Sequence, residues 1–113
     1  MNKRTVGSEY ELIACRHLES AGMQILECNY RVRIGEIDII ARDADALVFV
    51  EVKYRTNKNF GGAMFAISQT KKNKIRRVAQ WYMAEHHIRP SAFCRFDAVL
   101  IDGMNVTHIK NAW

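Results

Sequence analysis

The chain has 113 residues, of which 49% are hydrophobic and 26% charged, and carries a net charge of +5. That length suits one domain, 1–113, with a core able to stand without metal or disulfide staples. No apolar run approaches the roughly 18 residues of a membrane span, and the start MNKRTVGSEYELIA lacks a signal-peptide core, so a cytoplasmic protein with no membrane partner is expected.

Helical spacing predicts a first helix over 6–21, with Thr5 as N-cap and Gly22 as its stop. Its inward stripe is Tyr10, Ala14, His17/Leu18 and Ala21, and Glu11 falls beside that stripe while Glu9 falls in water. Three strand-like segments follow, 23–32, 36–41 and 47–53, separated by Ile34–Gly35 and by the turn-rich RDADA. Within the third, LVFV reads as a strand buried on both faces. Alternation puts Glu36, Asp38 and Ile40 on one face of the second segment and Phe49, Glu51 and Lys53 on one face of the third. Adjacent strands would then present Asp38 and Glu51 together.

YRTNKNFGGAMFA is a loop with a Gly61–Gly62 hinge. The second helix covers 70–85, burying Ile75, Val78, Ala79, Tyr82 and Met83; Lys71 lies one turn before Ile75 on that face, whereas Lys72, Asn73 and Arg76 should be solvated. A hairpin closes the chain: CRFDAVLI, a turn at Asp102–Gly103, then NVTHIKNAW. The order αβββαββ implies an α/β fold, a central mixed sheet flanked by helices.

Cys15, Cys28 and Cys94 read as reduced, buried thiols, and the absence of a CxxC pair argues against a zinc site. Nor do the four histidines form a base–nucleophile arrangement. Charge is unevenly distributed. From Val52 to Ala84 there are eight basic residues and no acid, while from Glu36 to Glu51 five acids face Arg42 alone. A basic stretch beside an acidic one suits a site where a polyanion meets a metal held by carboxylates, although a basic helix face can also simply be solvated.

Mg²⁺ and similar hard cations take oxygen ligands, usually one or two carboxylates plus phosphate and water. Asp38 and Glu51, with the main-chain carbonyl of Val52, would supply such a set, and Lys53 would position the attacking water or offset charge on phosphate. Against this, Glu51 and Lys53 could form a surface ion pair of small value, since ExK alone is a weak motif. The ensemble favours a polar site: Glu11, Asp38, Glu51 and Lys71 come from four separate stretches, each placing a charge where packing alone would prefer none. Arg95 and Asp97, alternating onto one face of the fourth strand, read as an ion pair bracing the sheet. Tyr54, Phe60 and Phe65 are candidates to stack on unpaired bases, although core packing under the loop is the stronger expectation for Phe65 and Phe60 is open.

The stretches EYELIACRHLESAG, NYRVRIGEIDIIA, VFVEVKYR, FGGAMFAISQTKKNKIRRVAQWYM, CRFDAVLI and HIKNAW span nearly the whole chain in order. In these the sequence resembles the PD-(D/E)xK nuclease superfamily and, more closely, the YraN family of small bacterial proteins related to archaeal Holliday junction resolvases. The resemblance implies a restriction-endonuclease-like fold and a Mg²⁺- or Mn²⁺-dependent endonuclease acting on DNA, branched or single-stranded. It places the Asp–Glu–x–Lys core on Asp38, Glu51 and Lys53, and the assisting helix glutamate on Glu11. Glu36 lies in the GEID stretch and, with Arg95 and Asp97, takes a supporting place. Lys71, Lys72, Lys74, Arg76 and Arg55 are the expected nucleic-acid contacts. Two departures stand out: Ile37 replaces the usual proline before the first Asp, and Tyr10 replaces a small residue before the helix glutamate. A junction-resolving role would favour a homodimer. The rival readings are a non-catalytic nucleic-acid-binding module that keeps the nuclease fold, and a protein–protein adaptor with a basic face.

Overall fold

The computed structural model describes residues 9–55 and 67–113. Its elements are α1 (Glu9–Ser20), β1 (Gln24–Val32), β2 (Gly35–Asp43), β3 (Ala46–Arg55), α2 (Gln69–Glu85), β4 (Cys94–Asp102) and β5 (Asn105–Ile109), in the expected order. The strands form one sheet in sequence order. β3 and β4 run parallel and every other pair is antiparallel. The mixed character follows from the connections: tight turns join β1, β2 and β3, whereas α2 carries the chain from the end of β3 back to the start of a parallel β4.

α1 ends where Gly22 takes φ 94°, letting the Met23 N–H return to the Leu18 carbonyl at 3.1 Å. The expected Thr5 cap lies outside the described residues, and Ala21 is exposed rather than buried. α2 opens on Ser68, whose hydroxyl accepts from the Lys71 N–H at 3.1 Å. Phe60, Phe65 and the Gly61–Gly62 hinge also lie outside the described residues.

One helix covers each face of the sheet. Ala14, Cys15 and Leu18 of α1 pack on Ile39, Ala41, Val48, Val50, Val99 and Ile101. Ile75, Val78, Ala79 and Tyr82 of α2 pack on Tyr30, Ile37, Ile40, Leu47 and Phe49. LVFV thus alternates between two cores, and fully burying a side chain such as Phe49 contributes roughly 1.5–3 kcal/mol. The Sγ atoms of Cys15 and Cys28 lie 3.4 Å apart inside the α1-side core.

The expected strict alternation along β2 does not hold. Ile37 and Ile40 share the α2-side core while Ile39 and Ala41 face α1, so the pattern slips at Asp38. β1 slips opposite it, with Cys28 facing α1, Tyr30 facing α2, and Asn29 between them at φ 54°. Asparagine tolerates this left-handed backbone better than most residues, which is why the two strands can keep register across the slip.

Candidate functional site

The slip at Asp38 decides the geometry of the site. The β2–β3 ladder runs from Asp43↔Ala46 to Ile39↔Val50 and stops there. Beyond it the Val52 N–H donates not to a β2 carbonyl but to the Asp38 carboxylate, at 2.8 Å. Asp38 therefore sits in the seam between two strands with its charge beside Glu51. Burial, then the Glu51 charge, then a hydrogen bond with Glu51 and the charge of Glu11 raise its pKa to about 7, against the lowering effect of the Val52 amide.

Glu51 is 4% exposed. It follows Phe49 by two residues on the α2 face, and its Oε2 lies 2.8 Å from Lys71 Nζ. This pairing, with a smaller opposing cost of burial, holds the lysine above its usual pKa. Lys53 comes next on that face, half-buried and in register with Leu100 of β4. From the other side of the sheet, α1 brings Glu11, whose Oε1 accepts from Asn29 Nδ2 at 2.9 Å. Tyr10, one residue earlier, stacks on Tyr54 with ring centroids 3.8 Å apart. Glu11, Asp38, Glu51 and Lys71 thus converge from α1, β2, β3 and α2. Two hard oxygen donors stand side by side at Asp38 and Glu51. Among the described residues, no group of three or more His, Cys, Asp or Glu is arranged to hold a metal.

A groove of about 500 Å³ runs beside this cluster between the β1–β2 hairpin and the first turns of α2. Arg31, Arg33, Lys71 and Lys74 line it, with Glu36 as its acid. Glu36 is held by Arg31, whose Nε and Nη2 lie 3.1 and 2.9 Å from Oε1. Gly35 is needed for closeness here: a Cβ would come within 3.1 Å of the Lys74 stem, so the bare backbone lets the lysine lie against the hairpin.

The expected nucleic-acid contacts divide. Lys71 and Lys74 line the groove; Lys72 is half-buried outside it. Arg76, expected in solvent, lies over the Phe96 ring at 5.4 Å, where the aromatic face attracts the guanidinium. Arg55 ends β3, and its side chain lies outside the described residues.

Arg95 and Asp97 stand apart from the Asp38–Glu51 cluster. They pair in register with Val48 and Val50, so they face α1, on the opposite side of the sheet from Glu51. Arg95 grips Asp97 with two bonds of 2.9 Å and reaches Asp43 at 3.0 Å. His108 Nε2 at 2.7 Å and the Asn111 N–H at 2.9 Å complete the shell around a fully buried carboxylate. Despite its burial, these donors hold Asp97 below the usual carboxylate range. This is the sheet brace expected of the pair, extended by partners from β5 and the segment after it. Sequence reasoning missed Asp43, His108, Asn111 and Asn29. Only Asn29 carried a signal, as a turn-favouring residue inside a strand.

Together these features define a mixed-sheet α/β domain that gathers carboxylates at the parting of two strands, beneath a basic groove. The chain belongs to uncharacterised protein family UPF0102, whose model matches residues 10–101. It is 47% identical over 107 residues to a UPF0102 protein of Dechloromonas aromatica, covering 95% of this chain and 87% of the relative. With a UPF0102 protein of Lachnoclostridium phytofermentans it shares 44% over 113 residues, covering 100% and 96%. Among the described residues no helix is long and apolar enough to cross a membrane.

Proposed function

We propose that this protein is a metal-dependent endonuclease that hydrolyses phosphodiester bonds in DNA. The observation that carries the reading is the pair Asp38–Glu51, two carboxylates held against each other at a strand seam under a basic groove. Packing alone gives no reason to bring like charges together, whereas a Mg²⁺ or Mn²⁺ ion relieves their repulsion and needs only one or two protein carboxylates, completing its shell with carbonyl, water and phosphate. The donor set fits such an ion: Asp38 and Glu51 would hold it, with the Val52 carbonyl between Glu51 and Lys53. When bound, the ion supplies a polarised phosphodiester and a water of lowered pKa.

The remaining work belongs to the chain. Lys53, on the face of Glu51, orients the attacking water and offsets charge developing on phosphate. Glu11 adds a further negative charge to the field at Asp38, which a cation there would offset, and is itself fixed by Asn29. Arg33 and Lys74 neutralise phosphates along the groove, beside the Arg31–Glu36 and Lys71–Glu51 pairs. The resemblance to the PD-(D/E)xK superfamily supports the same assignment of Asp38, Glu51 and Lys53.

One observation favours a second reading. Lys71 already pairs with Glu51, which neutralises that carboxylate without any metal. A non-catalytic nucleic-acid-binding module with a structural ion pair would look the same. The test is cleavage of labelled branched, flapped and single-stranded DNA with Mg²⁺ or Mn²⁺ by wild type, Asp38→Asn and Lys53→Ala. Cutting by wild type alone supports the nuclease. Salt-sensitive binding indifferent to divalent metal, unaltered by Glu51→Ala and without cutting, supports the module.

A further inference from the structure

The basic groove does not end at α2's first turns. Lys74, Arg77 and Trp81 follow at i, i+3 and i+7 and form one stripe along the helix. Trp81 is 50% exposed, a large indole face left to solvent. With Ile34 and Arg77 it lines a shallow, mainly apolar depression. Ile34 also lines the basic groove, so the two share a wall. From Lys71, at the carboxylate pair, to Trp81 is ten residues of helix, about 15 Å.

The charge along this path is cationic. Arg33, Lys74 and Arg77 flank it, and the two acids that line it, Glu36 and Glu85, each have a hydrogen-bonding partner. Glu36 is held by Arg31, and Glu85 accepts from the Tyr30 hydroxyl at 2.7 Å. An indole beside cations, at the end of a groove that suits phosphates, matches single-stranded nucleic acid: charges follow the backbone while an unpaired base stacks on the ring. A duplex offers no free base face to such a residue. A protein partner would not need the run of cations leading back to Asp38 and Glu51.

We propose that Trp81, walled by Ile34 and Arg77, is a stacking platform for an unpaired base of single-stranded DNA whose phosphates follow the groove toward the Asp38–Glu51 pair. This deepens the nucleic-acid reading above and rests on it, but not on turnover. Such a platform would let a protein without a base-reading motif select unpaired DNA: the ring face is read by the indole and the charge by the groove.

The experiment is fluorescence anisotropy with labelled oligothymidylate, the same strand annealed to oligodeoxyadenylate, and oligouridylate. All are measured in EDTA, for wild type, Trp81→Phe and Trp81→Ala, with circular dichroism checking the fold. Trp81→Ala should weaken oligothymidylate binding on the order of tenfold, and Trp81→Phe less, with the weaker duplex binding unchanged. Three results overturn the proposal: equal affinity of wild type and Trp81→Ala for oligothymidylate, an equal loss on duplex, or preference for oligouridylate. A Trp81→Ala variant that loses self-association in sedimentation but keeps its DNA affinity overturns it in favour of a protein interface. Because EDTA removes turnover, Trp81-dependent binding without any Mg²⁺-dependent cutting leaves the platform standing and defeats the nuclease, and the converse result does the reverse.

Discussion

Asp38→Asn is expected to make the protein more stable at pH 8. The wild-type carboxyl titrates near 7, against an ordinary value of 3.8, because it is buried beside Glu51. A raised acid favours the protonated fold. Its contribution is therefore present below about pH 4 and is lost as pH rises through about 7. Three pH units at 1.36 kcal/mol each set a ceiling of about 4 kcal/mol. Glu51 shares part of that repulsion, and Lys71 already offsets some of it, so roughly half the ceiling, ~2 kcal/mol, is a fair expectation. The substitution keeps an oxygen to accept from the Val52 N–H and adds a donor facing Glu51, while removing one of two like charges. Asp97, the other acid with a clear shift, is lowered, so its stability is lost only as pH falls below the ordinary carboxylate range and leaves the window between 4 and 7 to Asp38. Thermal melts of both proteins from pH 4 to 8 read the difference directly. At pH 8 the variant should melt on the order of 8 °C higher, and the gap should close toward pH 4. A variant that melts at or below wild type at pH 8, with a gap flat in pH, refutes the view that Asp38 is held against its own charge.

Other perturbations follow from the geometry. Asp97→Ala leaves Arg95 without its buried partner and strips acceptors from His108 and the Asn111 N–H, so urea titration should report a loss of about 3–5 kcal/mol. Asn29→Gly relieves the left-handed backbone but loses the bond to Glu11, whereas Asn29→Ala loses the bond and keeps the strain; denaturant midpoints should place Ala below Gly by roughly 1 kcal/mol. Lys71→Met removes the cation from Glu51 and should cost ~1 kcal/mol at pH 8 and less at pH 5, where Asp38 is protonated and repulsion is smaller; paired melts at the two pH values check it.

The fold was legible because its signals are periodic. The α2 stripe repeats at helical spacing, and LVFV, a short apolar run bounded by turn signals, suits a strand buried on both faces; the two cores follow from these. That Asp38 and Glu51 neighbour each other was legible too, since one strand pairs with the next across a short turn. The way they meet was not. Alternation would put Asp38 squarely on the α2 face, and the slip that turns it into the seam comes with a left-handed backbone at Asn29 in the neighbouring strand, which no periodicity encodes. The Asp97 network was half legible. Arg95 and Asp97 are two residues apart on one strand, but Asp43, His108 and Asn111 reach them only through the sheet's lateral order, and no spacing encodes that. Arg76 shows the limit of reading helix faces: the expected solvent side is covered by Phe96 of β4.

The slip also explains why three acids from three elements converge. With regular alternation, Ile37 would face α1 and its place in the α2-side core would be vacant; the slip returns Ile37 to that core and turns Asp38 toward β3. The Asp38 carboxylate accepts from the Val52 N–H in place of a ladder carbonyl, so that donor stays satisfied where β2 and β3 part. Once parted, the seam is approached from both faces: Glu11 comes from α1, while Glu51 and its Lys71 lie under α2. A flat, regular sheet would keep those carboxylates on opposite sides, separated by backbone. The left-handed Asn29, bonded to Glu11, thus ties the local chain path to the electrostatics of the candidate site.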